Sequence, residues 1–292
     1  MKKTHKPRAP KPVKSDKADK KPGFFGELIE QIKRDKAAFI VFAILRVIVI
    51  AVLVRAAVHG QWESVFVCVL TLVLFLLPPF VEKQLSITLP TALEITVFGL
   101  IFCAEILGEL GCYYLKFPFW DTALHTTSGF IFAAVGFCML DLLNRNKKIN
   151  LTPITLALVA FCFSMTIGVL WEFFEFSADT FFKTDMQKDT VVSALYSTAL
   201  DPLKLNKAVP VTDIVRTTIE CADGSVYTID GYLDLGIIDT MKDLLVNFVG
   251  AVVFSTIGFF YVRHRGRTKT KAIVEGFVPK VNKPKSNKQN NS

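Results

Sequence analysis

The chain has 292 residues, 51% of them hydrophobic, with 26 Phe and a mean hydropathy of +0.41. An apolar excess of that size, gathered in long runs, excludes an ordinary soluble domain and indicates a polytopic membrane protein. The formal net charge of +8 does not point to nucleic acid, because most Lys and Arg lie in the two tails and one short loop.

Residues 1–22 are rich in Lys and Pro and poor in apolar side chains, so this basic tail is expected to be disordered. Phe24, Phe25, Leu28, Ile29 and Ile32 then form a short amphipathic segment before Lys33-Arg34-Asp35-Lys36. It suits an anionic leaflet, and a frayed extension of the first span explains it equally well. Residues 24–262 form the membrane domain. Its predicted spans cover 37–58, 64–81, 91–115, 121–143, 152–176 and 238–262, an all-α six-transmembrane-helix bundle. Arg46, near the middle of the first span, must snorkel, pair with an acid or work.

Cys68, Cys103, Cys138 and Cys162 fall inside apolar runs, with no CxxC pair, and read as small buried apolar residues. Between the fifth and sixth spans, residues 179–237 make a polar loop too long for a simple turn. Within it, Ile214–Glu220, Asp223-Gly224 and Ser225–Ile229 read as a β-hairpin. The tail 263–292 is again basic and polar. Charge sets the orientation. The N-terminal segment up to Lys36, the C-terminal tail, Lys83 and the Arg145–Lys148 loop hold 25 of the 34 Lys and Arg, whereas residues 179–234 carry nine acids. The positive-inside rule therefore puts both termini in the cytoplasm and the long loop outside.

That topology gathers the unusual polar residues at the extracytoplasmic face. Glu105 and Glu109 end the third span, Asp121 and His125 begin the fourth, and Glu172, Glu175 and Asp179 end the fifth. Asp239, Asp243 and Asn247 begin the sixth. Each set repeats at three or four residues, so each lies on one helical stripe. Turning four acidic stripes towards lipid would incur the insertion cost of a charge several times, so they are expected to face a common pocket. A carboxylate shell with one imidazole suits Mg²⁺, Mn²⁺ or Ca²⁺ better than structural zinc. Protonated carboxyls, ion pairs with Arg55 and Lys242, or an ion or proton path would also relieve the repulsion. Taken singly, His125 reads as a hydrogen-bonded structural residue, Trp120 and Trp171 as interface anchors, and Gly129 and Gly250 as sites of close helix contact.

Three stretches carry a resemblance: Asp121-Thr-Ala-Leu-His125-Thr-Thr-Ser-Gly129, Trp171-Glu172-Phe-Phe-Glu175-Phe-Ser-Ala-Asp179, and Asp239-Thr-Met-Lys-Asp243-Leu-Leu-Val-Asn247-Phe-Val-Gly250. With Met186-Gln187, they resemble the YjdF-like family of uncharacterised bacterial inner-membrane proteins. More distantly, the order of acids, His and Asn is similar to VanZ-like proteins. The resemblance covers Asp121 to Gly250 and implies a bacterial plasma-membrane location, without an established activity.

Two kinds of function follow. In one, Asp121, His125, Glu172, Asp239 and Asp243 hold a divalent cation and Glu175 is the general base in chemistry on an envelope lipid or head group. Glu105, Glu109, Asp179 and Asn247 complete that pocket. In the other, the protein is an ion- or proton-coupled transporter, or a non-catalytic assembly or sensory protein. The expected partners are the bilayer and, at the basic tails, anionic lipid head groups, with no nucleic acid.

Overall fold

A computed structural model describes residues 36–85, 87–145, 151–264 and 280–281. The basic tail 1–22, the segment Phe24–Ile32, residues 146–150 and most of the C-terminal tail lie outside the described residues. Eight α-helices appear among those described: α1 (Lys36–Val58), α2 (Trp62–Leu74), α3 (Leu77–Leu85), α4 (Thr91–Ile101), α5 (Tyr113–Lys116), α6 (Trp120–Arg145), α7 (Pro153–Phe182) and α8 (Ile237–Arg263). A π-helical segment, Phe102–Leu110, continues α4. Among the described residues, six helical stretches are long and apolar enough to cross a membrane, the second formed by α2 with α3 and the third by α4 with the π segment. The protein is a multi-pass, mostly helical membrane protein.

The helix ends follow local chemistry. Thr152 caps α7 by accepting the Thr155 N–H at 3.2 Å, with Pro153 in the first helical position, where its missing N–H costs nothing. At the other end α7 runs six residues past the predicted limit, to Phe182, before Lys183 turns left-handed (φ 58°). The third span stops earlier than its apolar run, at Leu110, and the chain reverses at Cys112 (φ 55°).

Two cores organise the bundle. Helices α6, α7 and α8 enclose Ala133, Phe137, Leu156, Ala160, Ala251 and Phe254. A second core joins α1, α2, α4 and the π segment through Val49, Cys68, Phe75, Phe98 and Ile106. Leu93 of α4 against Ile131 of α6 links the two. Outward-facing Val47, Ile50, Val69 and Val253 leave apolar side chains exposed, as a helix in hydrocarbon requires. Cys68 and Cys138 are buried, but Cys162 faces outward on α7, where a lipid-facing position tolerates it. All six cysteines are free.

Between α7 and α8 the loop is pinned by short antiparallel pairs. β2 (Val191–Val192) pairs with β7 (Tyr232–Leu233), and β3 (Leu195–Ser197) with β4 (Val209–Val211). β5 (Thr217–Glu220) pairs with β6 (Val226–Ile229), with Thr217 opposite Ile229. β1 (Ile87–Thr88) pairs with β8 (Lys280–Val281), so two residues of the C-terminal tail lie against the connection between the second and third spans.

Candidate metal centre

Close packing of α6 on α8 positions the centre. A Cβ on Gly250 would lie 2.0 Å from the Thr126 carbonyl oxygen, and one on Gly129 would lie 2.2 Å from that of Asn247. Only hydrogen fits at these two positions, so the backbones meet where larger residues would hold them apart. The Ser164 hydroxyl donates to the Gly129 carbonyl at 2.8 Å and draws α7 against the pair. Asn247 serves this packing too, since its amide lies against Gly168 and donates to Met165 Sδ at 3.5 Å.

One to two turns from that contact, His125 Nε2 lies 3.4 Å from Asp121 Oδ1 and 3.8 Å from Asp243 Oδ2. One ligand atom from each of the three residues falls within 4.8 Å of the others, a spacing that a single cation can bridge. Asp243 is 3% exposed and Glu172 4%. Asp243 Oδ1 and Glu172 Oε2 are buried with no hydrogen-bond partner among the described residues. Buried carboxylate oxygens are rarely left so, and like charges this close need a cation or protons between them. Glu172 stands in the field of Asp239 and Asp121, and Asp243 in that of Asp121, Asp239 and Glu172. Asp121, His125, Glu172, Asp239 and Asp243 therefore form one electrostatic group.

The other acids divide. Glu175 is buried and its Oε1 accepts the Trp171 indole N–H at 2.8 Å, so Trp171 orients a carboxylate rather than only anchoring an interface. Trp120 likewise donates to the Cys103 carbonyl at 3.3 Å. Asp179 is occupied by the loop: Oδ1 accepts from Thr184 Oγ1 (2.8 Å) and the Met186 N–H (2.7 Å), and Oδ2 from the Gln187 N–H (2.9 Å). Glu109 accepts from Lys188 Nζ at 3.1 Å. Glu105 is 2% exposed, with Oε2 unpartnered among the described residues.

Several residues at this end carry little signal in the sequence. Gln187 Nε2 donates to Thr240 Oγ1 at 2.5 Å and the Lys188 N–H donates to Asp239 Oδ2 at 2.8 Å. Residues 184–188 thus form a strap held by the ends of the π segment, α7 and α8. Burial pulls the Lys188 ammonium down, but the adjoining Glu109 carboxylate outweighs this and raises it. The Met186-Gln187 motif was the one signal for the strap. Tyr114 had none. Its half-buried phenol is pushed well above the ordinary tyrosine range, first by desolvation and then by the carboxylates of Glu105, Asp121, Glu109 and Glu175.

Over residues 40–264 the chain matches the family described as "Predicted membrane protein (DUF2238)", which is the YjdF-like family. The match does not carry the more distant VanZ-like likeness. No curated protein and no solved structure matches the chain.

Proposed function

The chain belongs to this family of predicted membrane proteins, and from that footing we propose that its acidic end is a divalent-cation site acting on the anionic head group of an envelope lipid. The site faces the extracytoplasmic side, opposite the basic tails. Asp121, His125 and Asp243 hold the ion, and Glu172 and Asp239 complete its surroundings. Two carboxylates and one imidazole favour Mg²⁺ or Mn²⁺. When bound, the cation would supply Lewis-acid activation of water, and Glu175, steadied by Trp171, would accept the proton as general base. The observation that carries this reading is the convergence of three ligand atoms within 4.8 Å, beside a buried Asp243 oxygen with no partner among the described residues.

The test is Mn²⁺ binding to the detergent-purified protein, followed by electron paramagnetic resonance. Wild type is expected to take up Mn²⁺ stoichiometrically, and Asp243→Asn and Glu172→Gln to weaken it by about tenfold or more. A wild-type protein that binds no divalent ion, or variants that bind as well as wild type, would remove the proposal. Proton-dependent uptake into vesicles without metal binding would favour a carrier instead.

A further inference from the structure

Three unusual backbone features cluster beside the acidic group, and all three bear on one side chain. The end of the third span is π-helical over Phe102–Leu110, a geometry whose wider turn is uncommon and recurs at functional sites. Gly108 lies within it, and a Cβ there would stand 2.4 Å from Tyr114 Cε2. Cys112, between them, takes the left-handed conformation (φ 55°) that non-glycine residues seldom adopt. The reversal at Cys112 folds α5 back on the π segment, and the bare Gly108 leaves a seat for the Tyr114 ring. Packing alone would be served by an apolar ring in that seat. A tyrosine instead brings its hydroxyl into the field of acids from three elements: Glu105 and Glu109 of the π segment, Asp121 of α6 and Glu175 of α7.

Donors are scarce at this end. The Trp171 indole is engaged by Glu175, the Gln187 amide by Thr240 and the Lys188 ammonium by Glu109. The Tyr114 hydroxyl makes no hydrogen bond to a described residue. A ligand carrying anionic oxygens would be repelled by the carboxylates except where a cation and a hydrogen-bond donor meet it. We infer that Tyr114 is a ligand-binding residue whose hydroxyl donates to a phosphate oxygen of the molecule held on the cation at Asp121, His125 and Asp243. This rests on the cation reading above and deepens it, since it names phosphate as the recognised group. The phosphate is either free or borne on a lipid.

The full chain in phosphatidylcholine nanodiscs, loaded with Mn²⁺, provides the test. Bound Mn²⁺ broadens the ³¹P signal of any phosphate beside it. One arm titrates inorganic phosphate, and the other adds phosphatidic acid to the nanodisc without free phosphate. Broadening in the first arm identifies free phosphate as a ligand, and broadening in the second identifies the lipid head group. Tyr114→Phe keeps the ring and its packing, so it is expected to bind Mn²⁺ like wild type while losing about tenfold or more in phosphate affinity. Gly108→Ala, which displaces the ring, is expected to match it. Tyr114→Phe binding phosphate as well as wild type would overturn the inference while leaving the cation site standing, as would a wild type that holds Mn²⁺ and broadens neither signal. No Mn²⁺ uptake by wild type would sink the cation reading and this inference with it.

Discussion

Asp179 and Asp234 show how differently acids of one loop are used. Asp179 takes the N–H groups of Met186 and Gln187. Asp234 accepts the Thr190 N–H at 2.6 Å and the Ile238 N–H at 2.7 Å, tying the loop to the first turn of α8. Partial burial pushes the Asp234 carboxyl up, but backbone N–H groups at Thr190, Ile238 and Gly236 outweigh it and hold the group below its usual value. A depressed carboxylate stabilises the fold above the ordinary aspartate range, and that contribution is lost as pH falls through the lower folded value. Protection of the Thr190 and Ile238 amides, taken as exchange relative to the free-chain rate at the same pH, should therefore be high at neutral pH and fall below about pH 4. Asp234→Ala should lower the protection of both amides across the whole pH range. At this scale the sequence identified the acids but not their partners. Asp121, Asp179 and Asp243 sit on equivalent stripes, and only the strap distinguishes the carboxylate that is spent on backbone from those that are not. Helical spacing carries no information on where a loop some seven residues further along will fold back.

The spans themselves were legible because a bilayer demands a long apolar run whatever the tertiary packing. Their ends were less so. The π segment, the break between α2 and α3 and the reversal at Cys112 have no periodic signature, since each is settled by what packs against the chain. The helix contact was legible in Gly129 and Gly250, and its closeness makes it vulnerable. Gly250→Ala puts a methyl group where 2.0 Å is available, which should destabilise the protein by about 1–3 kcal/mol through overpacking. Heating the purified protein and following loss of its monodisperse chromatographic peak measures this. Gly99, where an added methyl group would meet nothing within 4 Å, is the matched control, and Gly99→Ala should change little.

For the molecule as a whole, the charge asymmetry and an even number of spans predict a single orientation. Cys221 is exposed on the long loop. In a Cys112→Ser background, a membrane-impermeant maleimide should label Cys221 in intact cells, while the thiol introduced by Ser292→Cys should react only after permeabilisation. The reverse pattern would place the acidic group on the cytoplasmic side and take envelope head groups out of its reach. In the proposed orientation, the pairing of Lys280–Val281 with Ile87–Thr88 joins two residues of the C-terminal tail to a connection assigned to the same side.

Residues 184–188 are fastened at once to Asp179, Asp239, Thr240 and Glu109, on the ends of three different spans. Those ends cannot spread until the clasp lets go. On the cation reading proposed above, release of the clasp would set the pace at which a bound ion trades places with one in the surrounding water.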